Sequence, residues 1–189
     1  LYFSDNQGFR LALKDMTVEA NGTTYDLSKA LGNGIYQNKG GAKCESYAKD
    51  VHFRPSLETG KNYLDQYEMA DLIQYARKRG IEIVPTFDMP GHMGAILDRL
   101  TDGNGNSVNF KVTYPEKGQS NTTLDVTSQT AVKFALALLE KYVAYFQEQG
   151  CKFFNICSDE FCYDLGVTAK TNTNEAMING IVEFMDKAA

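Results

Sequence analysis

The sequence predicts an α/β protein in which helices cover a parallel β-sheet. Two helical patterns, at residues 65–79 and 128–149, each stop at a glycine, and a short apolar stretch follows each glycine: IEIVPTF and then CKFFNIC. Helices that alternate with apolar strands are typical of a parallel sheet, because parallel strands need a crossover connection. The chain has 189 residues, 43% of them hydrophobic, which is enough for one core or a large part of a bigger domain.

The first helix is predicted from apolar residues at positions i, i+3, i+4 and i+7. These residues are Met69, Leu72, Ile73 and Ala76. Gly80 is the expected C-terminal cap, and the strand IEIVPTF follows it. Pro85 lies inside this strand and has no amide donor, which predicts a bulge unless the pairing of its neighbours avoids it.

The second helix has a longer apolar stripe of the same kind. The stripe consists of Val132, Ala135, Leu136, Leu139, Val143 and Phe146. Gly150 ends the pattern, and the strand CKFFNIC comes directly after it. The order helix, glycine, strand therefore occurs twice.

The remaining segments are polar and are predicted to be long surface loops that shape a site. Residues 15–62 and 101–123 are rich in glycine and asparagine, and both exceed the usual connection length. Within the first of them, NGTTYDL at residues 21–27 alternates in polarity as one arm of a small β-hairpin does.

Composition excludes several classes of function. The formal net charge is −5 and no long cluster of Lys or Arg occurs, so neither a nucleic-acid nor an anionic membrane surface is expected. No apolar stretch reaches the roughly 20 residues of a membrane span, and Leu1 does not open a signal peptide. The cysteines form no paired C-x-x-C pattern and there are only two histidines, so buried free thiols are predicted, and neither a metal site nor a cofactor is expected. These residues are Cys44, Cys151, Cys157, Cys162, His52 and His92.

Acidic residues follow all three predicted strands. The opening strand LYFS runs into Asp5, IEIVPTF runs into Asp88, and CKFFNIC leads through Ser158 into Asp159 and Glu160. A single Asp after a strand is more commonly a turn residue. Parallel strands, however, place all their carboxyl ends at one edge, where the active sites of α/β proteins lie. Three such strand ends therefore favour a catalytic site.

Three segments together resemble the family 20 glycoside hydrolases, the β-N-acetylhexosaminidases. SDNQGFR is similar to that family's D-D-Q-x-W-R stretch, FDMPGHMGAIL to its D-x-P-G-H stretch, and FNICSDEFCYD to its G-G-D-E stretch. The segments LKDMTVEANGTTYDL and NICSDEFCYD look closest to the cell-surface exo-β-N-acetylglucosaminidases of Gram-positive bacteria. The resemblance implies a (β/α)8 TIM barrel, of which residues 1–189 would supply roughly strands two to four, with long βα loops, as a partial catalytic domain.

The resemblance also implies a substrate-assisted, retaining hydrolysis of terminal β-linked N-acetylglucosamine or N-acetylgalactosamine. Asp159 would hold the substrate's acetamide N–H, and Glu160 would be the general acid and then the general base. Asp5 and His92 would form a relay that tunes Glu160, and Asp88 would position neighbouring groups as a substrate-binding residue. Adjacent acids can both reach one sugar only where a strand turns into its loop, which places the pair at the strand's end.

Some positions depart from the family pattern. Asn6 stands where a second Asp is usual and Phe9 where Trp is frequent, and Cys157 and Ser158 replace the usual small pair before the acids. A cysteine side chain at this point can crowd the sugar. His52 matches no motif and is interpreted as structural.

The chain supplies roughly three of the barrel's eight strand–helix units, and it contains no Trp. Alone, it is expected to be inactive and to self-associate through open sheet edges. The expected partner is a glycan or glycoprotein, and the resemblance implies an extracellular or cell-surface location. Two alternatives stay open: disaccharide release of the lacto-N-biosidase type, and a non-catalytic glycan-binding or structural remnant. Linkage, and the choice between the two amino sugars, are also left open.

Overall fold

A computed structural model describes residues 9–31, 63–114, 118–158, 161 and 175–189. These residues form a mixed α/β structure, as the sequence predicts, although three of the four pairs between named strands are antiparallel and only one is parallel. The strands are β1 (Leu11–Ala12), β2 (Thr17–Ala20), β3 (Thr23–Asp26), β4 (Leu64–Asp65), β5 (Thr101–Asp102), β6 (Lys111–Tyr114) and β7 (Gly118–Leu124). The α-helices are α1 (Gln66–Arg77), α2 (Gly94–Leu97), α3 (Gln129–Glu148) and α4 (Glu175–Ala188), and a 3-10 turn spans Ser28–Ala30.

Helix α1 begins at a capping box. The Asp65 carboxylate accepts the amides of Tyr67 at 2.9 Å and Glu68 at 3.0 Å, while the Glu68 carboxylate accepts the Asp65 amide at 2.8 Å. Such a cap satisfies amides that have no partner inside the helix, and it contributes about 1 kcal/mol. The chain therefore leaves β4 and enters the helix at a defined residue.

Both predicted helix ends are confirmed, and both use the same C-terminal motif. Gly80 has φ +71° and Gly150 has φ +80°, a region that L side chains rarely adopt. The next amide in each case donates to the carbonyl five residues back: Ile81 to Ala76 at 3.1 Å and Cys151 to Phe146 at 3.0 Å. This is the Schellman motif, in which carbonyl oxygens of the last helical turn that have no partner within the helix accept hydrogen bonds.

The two apolar stripes are confirmed with one exception. On α1, Ile73 and Ala76 are buried, but Leu72 is 43% exposed, so it lies outside the contact with the core. On α3, four residues of the predicted stripe are buried: Val132, Ala135, Leu139 and Phe146. The buried face is wider than predicted, because it also includes Phe134, Leu138 and Tyr142, each at most 1% exposed.

The segments IEIVPTF and CKFFNIC run parallel and in contact near their ends. Thr86 and Asn155 form an isolated parallel bridge, with Phe87 N donating to Asn155 O and Asn155 N donating to Pro85 O, both at 2.9 Å. Regular strands over the full length of both segments are not formed. Pro85 takes part through its carbonyl oxygen, so its missing N–H does not interrupt this pairing.

The predicted hairpin arm is confirmed. Strands β2 and β3 pair antiparallel around Asn21 and Gly22, whose φ values of 54° and 70° suit the two-residue turn that hairpins favour. Tyr25 on β3 is 3% exposed, and its ring meets those of Phe110 and Phe134 edge-on. The hairpin is thereby fixed to helix α3.

The prediction of a surface loop over residues 101–123 is wrong in part. Strand β5 pairs with β3, and β6 pairs with β7, while Val112 and Thr123 are 5% and 0% exposed. Polar sequences can form strands because the backbone pairs whatever the side chains are. This segment is thus part of the packed structure.

No helix in the described ranges is both long enough and apolar enough to cross a lipid bilayer.

Candidate active site

The candidate site is built where the two parallel segments end. Beyond the bridge, Met89 N donates to Ile156 O at 3.4 Å, and the hydroxyl of Ser158 donates to Met89 O at 2.7 Å. The turn that follows IEIVPTF therefore lies directly against the residues that follow CKFFNIC. Sequence position alone predicted that these two strand ends share an edge, and the pairing agrees with it.

The turn at residues 88–93 is held on its other side by strand β7. Met93 N donates to Thr122 O at 2.8 Å, and Leu124 N donates to Pro90 O at 2.9 Å. The Met89–Pro90 peptide bond is cis. Met89 and Met93 are 1% and 3% exposed, so the turn is packed into the core and is not a free surface loop.

Asp88 and His92 both lie in this turn, as predicted. Asp88 Oδ1 and His92 Nε2 are buried polar atoms. Withdrawing a carboxylate or an imidazole from water is costly, so such groups are retained where hydrogen bonds or function offset the cost. The structure brings these two predicted residues to the same strand end.

Backbone strain is concentrated at the site. His92, Cys157 and Ser158 have φ values of 53°, 59° and 61°, and among the described residues the only other non-glycine in this region is Asn21 of the hairpin turn. Each such residue costs on the order of 1–3 kcal/mol and persists only where its surroundings enforce it. Here Asn155 Oδ1 accepts the Cys157 amide at 3.0 Å and Ile156 O accepts the Ser158 amide at 2.8 Å.

Three of the predicted site residues, Asp5, Asp159 and Glu160, lie outside the described residues, and their roles stay predictions. Phe9, which stands where the family often has Trp, is 4% exposed and packs against Phe87 and Tyr142 at ring-centroid distances of 6.3 and 5.6 Å. It is therefore a core residue that packs against the segment leading to Asp88.

Sequence reasoning gave no role to Ser158 beyond its departure from a small-residue pattern. That departure is the signal that could have directed attention to it, because a residue replacing a small one at a sharp turn needs a compensating contact. The thiol of Cys157 is exposed, so the prediction that the cysteines are buried is wrong at this position.

A mixed α/β chain with buried polar atoms and strained residues at the carboxyl ends of neighbouring parallel segments has an arrangement that is typical of α/β proteins whose active sites lie at that edge. The model of the glycosyl hydrolase family 20 catalytic domain matches residues 1–185. The chain therefore belongs to glycosyl hydrolase family 20, which confirms the family predicted from the three motifs.

Two solved structures illustrate the similarity. One is of the tandem family 20 catalytic modules of the pneumococcal exo-β-D-N-acetylglucosaminidase StrH, with 29% identity over 86% of this chain and a TM-score of 0.60. The other concerns the pneumococcal virulence factor StrH and its recognition and hydrolysis of N-glycans, with 25% identity over 97% of this chain and a TM-score of 0.65. This chain spans 34% and 40% of those two chains.

Proposed function

We propose that this chain is part of a catalytic domain that hydrolyses terminal, non-reducing β-linked N-acetylhexosamine residues. Membership of family 20 and similarity to a β-N-acetylglucosaminidase support this proposal. The comparisons favour neither disaccharide release nor a non-catalytic remnant.

The observation that carries the proposal is the parallel pairing of the two segments that precede the acidic motifs. Thr86 pairs with Asn155, and the Ser158 hydroxyl bonds to Met89 O at 2.7 Å. Asp159 follows Ser158 by one peptide bond, and consecutive Cα atoms are about 3.8 Å apart. Ser158, the residue directly before the acid pair, thus lies against the turn that contains Asp88 and His92.

In the proposed mechanism the substrate supplies its own nucleophile. Glu160 donates a proton to the glycosidic oxygen as the acetamido carbonyl oxygen attacks the anomeric carbon, which gives a cyclic oxazolinium ion and releases the aglycone. Asp159 stays ionised, accepts the acetamide N–H and balances the positive charge. Glu160 then removes a proton from water, which opens the ring with overall retention of configuration.

Asp88 and His92 act around this pair. An imidazole at the strand end whose Nε2 is buried is suited to hold the general acid's proton in position, with Asp5 as its partner in the relay. The carboxylate of Asp88, whose Oδ1 is buried, is suited to orient neighbouring groups. Burial of Asp88 Oδ1 and His92 Nε2 in a packed turn supports these roles, because groups held in the core lose little of their geometry to motion.

We propose further that the substrate is a glycan outside the cell, bearing terminal N-acetylglucosamine. The support is the similarity to pneumococcal StrH, an exo-β-D-N-acetylglucosaminidase whose structures address N-glycan hydrolysis.

The test uses Glu160→Gln in the natural polypeptide that contains these residues. Turnover of a substrate with a poor leaving group, such as a β-linked N-acetylglucosaminyl disaccharide, should fall about 10²–10⁴-fold, because that oxygen must be protonated as it leaves. Turnover of an activated aryl glycoside should fall much less. Glu183→Gln on α4 is a matched control, because Glu183 is exposed and its carboxylate lies 3.7 Å from the ammonium of Lys187 on the same helix. Equal losses on both substrates would count against Glu160 as the acid.

A further inference from the structure

We infer that Ser158 is a positioning residue, whose hydroxyl fastens the turn containing Asp88 and His92 to the end of the neighbouring parallel segment. The inference rests on the proposed function, since what is positioned is the set of groups that surround the acid pair. Ser158 itself contacts neither substrate nor reacting atoms in this scheme.

The contact between Ser158 and Met89 is the short link between the two segment ends. Ser158 Oγ lies 2.7 Å from Met89 O, whereas the backbone bond from Met89 N to Ile156 O is 3.4 Å long. A 2.7 Å O–H···O distance is at the optimum for such a bond, and 3.4 Å is beyond the usual range for N–H···O. At Met89, the hydrogen bond from the Ser158 side chain is therefore the stronger of the two that join the segments.

Helix α4 also contacts the Ser158 hydroxyl. The Met185 sulfur on α4 lies 3.1 Å from Ser158 Oγ. A hydroxyl has one proton, and a carbonyl oxygen is a better acceptor than a thioether sulfur, so the bond to Met89 O is the principal one. Met185 is a second contact of the Ser158 hydroxyl.

The backbone of Ser158 indicates what the side chain contributes. At φ 61° a glycine would sit without steric cost, whereas serine retains a cost on the order of 1 kcal/mol or more. A structural requirement for the turn alone would be met best by glycine. A serine in this position is explained if its hydroxyl does something that glycine cannot, and the bond to Met89 O is that contribution.

The position of Met89 connects this bond to the site. Met89 is 1% exposed, follows Asp88 directly and lies three residues before His92. Its carbonyl is thus part of the same rigid turn. If the bond is lost, the turn can shift relative to the segment that leads into Asp159, and a misplacement of about 1 Å can cost on the order of 10²-fold in rate.

The experiment compares Ser158→Ala with Ser158→Gly in the natural polypeptide. Both remove the hydroxyl, but only the glycine also removes the steric cost of the positive φ. If the bond positions the site, both variants should lower kcat on a poor-leaving-group substrate by about 10-fold or more, with KM nearly unchanged, and both should displace a limb of the pH profile of kcat. A glycine variant with wild-type kcat and pH profile would overturn the inference, because the hydroxyl would then only offset strain.

A second measurement does not depend on activity. Hydrogen exchange of a peptide covering residues 88–97 should be faster in both variants, and unchanged exchange in both would also overturn the inference. If the alanine variant fails to fold, the glycine variant, which suits the backbone better, still decides the question. Wild-type protein without hexosaminidase activity would refute the proposed function instead, while the exchange result would still decide whether Ser158 holds the turn.

Discussion

Replacement of Tyr142 by Phe tests the contribution of a core tyrosine that contacts the segment leading to Asp88. Tyr142 on α3 is 1% exposed, its hydroxyl donates to Leu11 O at 2.8 Å, and its ring lies 4.9 Å from that of Phe87, in the segment leading to Asp88. Phe keeps the ring contacts and removes only the hydrogen bond. Because Leu11 is itself only 7% exposed, its carbonyl loses a donor that water does not readily replace.

We expect Tyr142→Phe to lower the free energy of unfolding by about 1–3 kcal/mol at pH 7, the usual cost of depriving a buried acceptor of its partner. Burial also raises the pKa of the Tyr142 phenol far above its ordinary value of 10.0. Above pH 10 the unfolded chain releases this proton while the native protein retains it, so the unfolded state binds fewer protons and stability falls as pH rises. The slope for one such group is at most about 1.4 kcal/mol per pH unit.

The difference in stability between wild type and Tyr142→Phe should therefore be constant up to about pH 10 and shrink above it. Burial, with smaller contributions from the charges of Cys151 and Asp65, raises the pKa of Tyr145 to about 12. That group also destabilises the fold above pH 10, but it is present in both proteins and cancels in the difference.

The assay is urea unfolding, followed at several pH values between 7 and 11. Tyr67→Phe is the matched control, because Tyr67 is 68% exposed, and it should change stability by no more than about 0.5 kcal/mol. The reasoning is refuted if Tyr142→Phe is as stable as wild type at pH 7. It is also refuted if the difference between the two stays the same from pH 7 to pH 11.

Two further predictions concern the acid pair and the last helix. Asp159→Asn should weaken binding of a thiazoline analogue of the oxazolinium intermediate, measured by inhibition or calorimetry, because the carboxylate that balances its charge is gone; unchanged affinity would remove Asp159 from that role. Gly180→Ala should lower the thermal midpoint, because a Cβ at this position would lie 2.8 Å from Val126 O. Overpacking of this kind costs about 1–3 kcal/mol of stability, which exceeds the gain of up to about 1 kcal/mol from the higher helix propensity of alanine. Asn179→Ala, at the exposed neighbouring position, is the control and should not lower the thermal midpoint. A Gly180→Ala variant as stable as this control would show that α4 does not pack closely on Val126.

The features that could be predicted from the sequence are those fixed by neighbouring residues. Gly80 and Gly150 mark their helix ends because a positive φ directly after a helix is a local requirement. The hairpin at Asn21 and Gly22 follows from the same kind of local preference. The family could be predicted because its three motifs are short and contiguous.

The features that the sequence did not predict depend on contacts between distant segments. Leu72 fits the helical stripe but is 43% exposed, since the width of the buried face depends on what packs against it. Strands β5 to β7 lie in a segment whose composition indicates a loop, because strand pairing satisfies backbone groups whatever the side chains are.

The sequence by itself determined which residue types stand at the strand ends and in what order, and hence the chemistry open to them. Only the tertiary structure decided that Thr86 pairs with Asn155 and that the Ser158 hydroxyl reaches Met89 O. In this register the rings of Phe87 and Phe154, one from each segment, pack with their centroids 5.9 Å apart. A one-residue shift would turn every side chain to the opposite face, and this constraint exists only once the segments are side by side.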